Sequence, residues 1–429
     1  MLEGFFSKIE GLTPARYRWI WNHEGFRRYF ANTGWMLGGQ VFSLILSFFI
    51  GAWLARYLGP TNYGIINYAV AFAGLFGFIS SLGVDQILVR ELVKHPEKRD
   101  ELMGTSFGLK VIGGLLSFVL VCIAAYIFEA SSLNRLLAIT FSAGFILQAL
   151  NVIPYYFQAR VQAKQNTRAQ LYASIITAAL KIAFILSGLS LFWLIVIFTL
   201  DFGWQCIFLM GYYREEGLKI GAWRFNGPLA KEILSGSWHL ILMAASAFLL
   251  YKIDQVMVGR LLGEGAVGYY AVAVKFSEIW YFIPGVLCAS LFPAIVNSRK
   301  VSESLYKQRL INFNSMMVII AVVIALITTI LAKPAVSILF GQEYLPSVQL
   351  LKIYVWSGIG LFLAWAMQQR LLAEDRLKQL SRAYAIAMVL NIVLNLLFIP
   401  VLGLTGAAWA TLAAYSVLPL MMKNKTRLL

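Results

Sequence analysis

The sequence predicts an all-α polytopic membrane protein: twelve transmembrane helices in two like-oriented six-helix halves. Three observations carry that prediction. The 429 residues are 60% hydrophobic and only 13% charged, with a mean hydropathy of +0.73, whereas soluble domains run near half apolar and a quarter charged. Apolar stretches of roughly 20 residues, long enough to cross a bilayer, recur twelve times. A motif in the first quarter of the chain returns 204 residues later.

Residues 1–30 form a basic cytoplasmic segment. They read either as an interfacial helix, with Phe5, Phe6, Ile9, Trp19 and Trp21 at headgroup depth and Arg16, Arg18, Arg27 and Arg28 toward anionic lipid, or as a loose tail. Arginines mixed with aromatics do not make a cleavable signal. The spans follow near 33–56, 63–83, 105–128, 136–158, 170–189, 191–213, 236–260, 267–291, 312–333, 350–372, 381–400 and 404–422. None alternates with the two-residue period of a barrel strand, so all are read as helices. An N-terminal lobe, 31–213, is thus joined by a cytoplasmic linker, 214–235, to a C-terminal lobe, 236–422, with a cytoplasmic tail at 423–429.

Charge fixes the orientation. With the N-terminus cytoplasmic, 27 of the 36 Lys and Arg residues fall on that side, 5 in or near the opposite loops, and 4 within spans. Short loops with that asymmetry follow the positive-inside rule, which predicts a plasma-membrane protein with both termini cytoplasmic. The net charge of +16 is therefore mostly topological, and its spread over every inner loop argues against a nucleic-acid partner. Loops on the outer side are too short for a catalytic domain. Cys122, Cys206 and Cys288 lie far apart in apolar runs, so neither a disulfide framework nor a metal site is expected. There is no phosphate-cradling GxxxxGK[ST] loop. No cofactor is expected, and driving energy would come from a proton or sodium gradient or from the substrate's own gradient.

The repeat matches Arg56, Leu58, Gly59, Gly64, Ala69, Val70 and Phe72 to Arg260, Leu262, Gly263, Gly268, Ala273, Val274 and Phe276, all 204 apart. A second echo joins Gln158, Arg160 and Ala163 to Gln368, Arg370 and Ala373, 210 apart. Six helices per half give parallel repeats, an architecture suited to a rocking transporter.

Ionisable groups within spans cost roughly 2.5–3.5 kcal/mol or more on insertion scales, so they seek a partner or a wet cavity. Lys181 and Asp201 lie either side of the turn near 189–190, within roughly 5 Å of one depth at 1.5 Å per residue, and are expected to pair. Asp254 reads equally as a protonatable coupling group or cation ligand and as a partner of Lys252 or Arg260. His239, near the inner interface, reads as structural. Lys275 and Glu278, at i and i+3, would neutralise each other on one helix face. Pro284-Gly285 would bend that helix and offer a gate hinge. Asp85, Arg90 and Lys110, with Arg160 and Arg370, would line a basic vestibule, against the plainer reading of arginines snorkelling to lipid phosphates. Asn67, Gly74 and Ser81 form a small, polar stripe, and Asn391 and Asn395 a similar pair.

ARYLGPTNYGIINYAVAF, LGVDQILVREL, IDQVMVGRLLGEGAVGYYAVAVKFSE, ILFGQEYLPSVQLLKI and NIVLNLLFIPVLGLTGAAWATLAAY together resemble the polysaccharide-exporter, or Wzx-type flippase, branch of the multidrug/oligosaccharidyl-lipid/polysaccharide superfamily, over residues 30–422. The resemblance implies two lobes in a V around a central cavity. It also implies transfer of a polyprenyl-diphosphate-linked sugar repeat unit between leaflets, in company with membrane lipids and polysaccharide polymerase machinery. Lipid II flippases and cation-coupled drug exporters share the outline. On this reading Lys110, Lys181, Lys252, Lys275 and Arg90 hold diphosphate, while Asp201, Asp254, Glu278 and Asp85 couple to an ion or pair. Four intramembrane lysines against three acids favour an anionic lipid over a cationic drug. A glycosyltransferase or polymerase would need an outer carboxylate pair that the short loops lack, so the chain is read as a transporter and not an enzyme.

Overall fold

A computed structural model describes residues 24–423. The amphipathic segment expected within 1–30 lies mostly outside the described residues, as does the tail beyond 423. The described chain is helical throughout, with α1 (Glu24–Gly74), α2 (Gly77–Ser81), α3 (Val84–Lys94), α4 (Arg99–Phe128), α5 (Ser132–Ser142), α6 (Gly144–Leu147), α7 (Ile153–Ala159), α8 (Ala163–Ser187) and α9 (Leu191–Glu215) in the first half. The second half holds α10 (Gly227–Leu262), α11 (Glu264–Glu278), α12 (Phe282–Ser298), α13 (Glu303–Leu339), α14 (Ser347–Tyr354), α15 (Ser357–Ala373), α16 (Leu377–Leu402) and α17 (Leu404–Met421). Among the described residues 11 helical runs are long and apolar enough to span. The first of them, Gly38–Gly74, is two helices meeting at Gly59, whose φ of 69° and ψ of 171° break the helix. Its repeat partner Gly263 has φ 88° and ψ 172°, a conformation that only glycine adopts without strain.

The 204-residue repeat is therefore a repeat of backbone shape. The echo at 210 is not. The left-handed residues that close α7 and α15, Val161 and Asp375, are 214 apart, so Arg160 corresponds to Glu374 rather than to Arg370. The extra length of α13, 37 residues against 30 in α4, and its longer connection to α14 move the register. One span ends where expected, and one bend falls elsewhere. Leu82 and Gly83 turn left-handed, ending the second span and starting α3 as a separate helix. The bend expected at Pro284-Gly285 appears one turn earlier, as a 3-10 turn over Ile279–Tyr281, because Pro284 has no N–H for the carbonyl four residues back.

The two halves meet at one end. Gly64 and Gly268 are notches in facing helices: a Cβ on Gly64 would fall on the Glu264 carbonyl, and one on Gly268 on the Pro60 carbonyl. Positions 60 and 264 are themselves 204 apart, so the contact is reciprocal about a pseudo-two-fold axis. Polar side chains reach across around it. Arg56 donates to the Ile338 carbonyl at 3.5 Å. Arg260 donates to the Phe128 carbonyl and to Glu129 at 2.9 Å. Tyr344 donates to the Ala55 carbonyl at 2.7 Å and Asn134 to Glu264 at 3.0 Å. Each arginine thus seals onto the last turn of the opposite half's third long helix.

Apolar packing follows the same plan. One core at this end draws on both halves, with Phe48 of α1 edge-on to Phe276 at 5.1 Å and to Phe340 at 6.1 Å. Toward the other end the cores are separate. One comprises Val84, Met103, Val152, Phe157, Leu209 and Tyr213 with Ala230 and Ile233 from the start of α10, and two belong to the second half alone. Joined at one end and, apart from the start of α10, divided at the other, the bundle is a V. Overpacking a tight helix crossing costs ~1–3 kcal/mol, so Gly268→Val should lower the thermal unfolding midpoint in detergent. Gly211→Val, where a side chain meets nothing within 4 Å, should leave it nearly unchanged.

Candidate functional site

Between the arms of the V lies a chamber of about 460 Å³. Helices α1, α5, α8 and α9 line it from the first half and α10 and α11 from the second, bringing together Asn67, Asn151, Lys181, Asp201 and Gln205 with Lys252, Gln255, Lys275 and Glu278. Three lysines face two carboxylates. Gly51 of α1 matters here for its missing side chain, since the Lys275 ammonium occupies the space that a Cβ there would take. Lys275 thereby reaches from the second half to the first.

The expected pairings are rearranged. Lys275 does not pair with Glu278; Lys252 does, at 3.9 Å, from the neighbouring helix. Lys181 and Asp201 share the chamber, yet among the described residues no ion pair within 4.0 Å joins them. Asp201 instead accepts from Thr177 Oγ1 at 2.5 Å, and the Lys181 ammonium sits 4.4 Å from the centre of the Phe198 ring, a cation–π contact. Depth along two helices was readable from the sequence, but the azimuth that decides which oxygen meets which donor was not.

Other singled-out residues lie elsewhere. Lys110, buried in α4, pairs with Asp85 at 2.5 Å and lies 5.0 Å from the Tyr155 ring centre; neither Lys110 nor Asp85 lines the chamber. Arg90 is exposed beside Glu91, at 2.9 Å. Arg160 is held by Glu216 and Tyr156, and Arg370 donates to the Met422 carbonyl, so both are tied to their own halves. Pro284 and Gly285 lie in the first turn of α12, Gly285 facing Trp365.

Asp254 pairs with neither Lys252 nor Arg260. It is 1% exposed and accepts from Tyr270 at 2.6 Å, from the Gln255 N–H at 2.7 Å and from Thr411 at 3.3 Å. Asn391 and Asn395, fully buried, adjoin it through Thr411. Helices α10, α11, α16 and α17 thus enclose one carboxylate among neutral oxygens, with no cation paired to it among the described residues. The described residues hold no group of three His, Cys, Asp or Glu suited to a metal; around Asp254 stand two hydroxyls and one backbone N–H, with the Asn391 amide nitrogen behind Thr411. Sequence reasoning missed Glu129, buried and bound by Tyr68 at 2.7 Å and by Arg260, and the chamber amides Asn151, Gln205 and Gln255. Gln205 lies one helical turn from Asp201, a spacing that could have flagged it.

A two-lobed, all-α membrane bundle around a charged chamber defines a polytopic transporter fold. The chain belongs to the family described as "Polysaccharide biosynthesis protein", whose pattern matches residues 29–299. It is 22% identical over 335 residues to a Shigella flexneri protein named "Putative O-antigen transporter", covering 73% of this chain and 77% of that one. It is 25% identical over 172 residues to "Probable flippase AglR" of Haloferax volcanii, covering 38% and 35%. Among solved structures it is similar to an inward-facing multidrug resistance MATE family transporter, at TM-score 0.73 and 15% identity over 88% of this chain and 92% of the other. It is likewise similar to the lipid II flippase MurJ in an inward closed conformation, at TM-score 0.67 and 15% identity over 90% and 86%. These likenesses establish the fold.

Breaking a buried ion pair leaves an uncompensated charge and costs ~3–5 kcal/mol. Lys110→Met and Asp85→Asn should each lower the thermal unfolding midpoint in detergent sharply, and the double variant should recover most of the loss.

Proposed function

We propose that this chain is a flippase that moves a polyprenyl-diphosphate-linked oligosaccharide, the repeat unit of a surface polysaccharide, from the cytoplasmic to the outer leaflet by alternating access. The observation that carries this reading is the pair of lysines, Lys181 and Lys275, one from each half, that share the chamber with no carboxylate paired to either among the described residues. Two such ammonium groups in low dielectric repel each other and are stabilised by an anion between them. A diphosphate supplies the charge and the acceptor oxygens. In the proposed topology the chain makes twelve crossings of the plasma membrane with both termini cytoplasmic, as the distribution of basic residues argues. The sealed end then faces outward and the divided end faces the cytoplasm, where the substrate is made. The headgroup enters the chamber while its polyprenyl tail stays in lipid. Breaking the glycine-notched seal and closing the other end would release it outside, to polysaccharide polymerase machinery.

A cationic drug fits the chamber less well, because three lysines outnumber two carboxylates there. A lipid II flippase uses the same diphosphate chemistry and differs in the sugar. In this proposal Asp254 is the coupling group. A buried carboxylate with no paired cation is costly to keep charged even with three hydrogen bonds, so a proton or sodium ion moving with its gradient would bias the position of α10, which spans from the first half's core to the second's.

Deletion of the gene should cause a diphosphate-linked oligosaccharide to accumulate in the inner leaflet; unchanged glycan with heightened drug sensitivity would refute the proposal. Lys181→Met and Lys275→Met, at normal protein levels, should each reduce export roughly tenfold, the ~1.4 kcal/mol equivalent of one lost charge-assisted contact. In proteoliposomes, Asp254→Asn should abolish stimulation of transport by an imposed proton or sodium gradient, and an unaltered response would exclude it as the coupling group.

A further inference from the structure

A second concave site lies on the outer surface of the second half, away from the chamber. It is a crevice of about 480 Å³ between α14–α15 and α17, lined by Lys352, Ile353, Trp356, Ile359, Trp409, Leu412 and Ser416, a volume within the ~300–1,000 Å³ of ordinary ligand pockets. Its origin is visible in the packing. Helices α15 and α17 touch at Gly360, where a Cβ would strike the Tyr415 carbonyl. Toward the sealed end Trp356, in the break between α14 and α15, and Trp409 of α17 both line the crevice.

Its chemistry is graded along the membrane normal. Lys352 and Trp409 each lie five residues from the sealed-end start of their helices, about 7–8 Å down at 1.5 Å per residue. Ile359 and Ser416 lie twelve residues down, about 18 Å. The crevice therefore has a cation and the Trp409 indole at interfacial depth, the Trp356 indole one turn deeper than Lys352, and aliphatic walls running to mid-membrane. Lys352 is exposed and has no ion pair within 4.0 Å among the described residues. It also stands on the side of the protein where basic residues are scarce. A cation in that position takes its counter-charge from lipid, and indoles stabilise a headgroup boundary.

We infer that this crevice is a binding site for one anionic phospholipid of the leaflet at the sealed end. Its phosphate rests on Lys352 beside Trp409, and one acyl chain runs along Ile353, Trp356, Ile359 and Leu412. Charge complementarity selects the phospholipid over a second copy of the chain, since an apolar dimer surface would leave Lys352 without a counter-ion.

The test is photolabelling of the intact protein in nanodiscs, using phosphatidylglycerol with a diazirine in its acyl chain and peptide mapping by mass spectrometry. Adducts should concentrate on peptides 347–373 and 404–421 over the equally lipid-exposed face of α13 around Ile319, Val323 and Ile330. The same probe on phosphatidylcholine should label the crevice less. Lys352→Glu should lower crevice labelling about fivefold, as one lost lysine–lipid contact predicts, and leave α13 labelling unchanged. Trp409→Ala should lower it too. Even labelling of both faces, indifference to Lys352→Glu, protection by inorganic phosphate, or cross-linked dimers through Trp409 would each overturn the inference.

Discussion

Contact between two bare helix backbones holds this molecule together at one end and frees it at the other. At Gly64 and Gly268 the halves approach so closely that any side chain would collide with a carbonyl. In lipid, where apolar surface gains nothing from leaving solvent, such close packing and the polar contacts around it are the main forces available between helices. The shared core, the arginines capping opposite helix ends and the Phe48–Phe276–Phe340 cluster all depend on that approach. At the glycine notches themselves backbone meets backbone, with no side chain interposed. Reciprocity adds economy, because one motif duplicated 204 residues on supplies both faces of the contact.

Low dielectric sorts the ionisable groups of the interior into three states. Lys110 and Asp85 neutralise each other in the wall and act as structure. Asp254 is surrounded by neutral donors and acceptors, so its charge state is left to whatever enters. The chamber lysines are only partly compensated, because Glu278 is shared with Lys252 and Asp201 is engaged by Thr177. The last arrangement is the costliest without a ligand, which is why it points to a site. Four lysines that look alike in the sequence have different consequences because each meets a different neighbour.

The crevice beside Lys352 extends the same logic to the lipid face. Where two packed helices leave a crevice between tryptophans on the lipid face, the bilayer must fill it. The unmatched charge at its mouth makes the filling selective.

Much of the architecture was legible from the chain. Span lengths follow from hydrocarbon thickness and from a backbone that must satisfy its own hydrogen bonds, and the skewed arginine and lysine distribution and the ungapped 204-residue repeat stand beside them in the sequence. These determine that the protein is a bundle of helices in two parallel halves, and even that Gly59 and Gly263 mark equivalent turns. The tertiary structure decided the rest. The second echo was coincidental, since the greater length of α13 and of its connection to α14 shifts the register to 214. Lys275 bypasses its i+3 neighbour for the gap at Gly51, and Asp254 finds Tyr270 rather than a cation. One-dimensional spacing gives the height of a side chain along its helix, but its azimuth and partner are set by how neighbouring helices pack, which only the assembled bundle specifies.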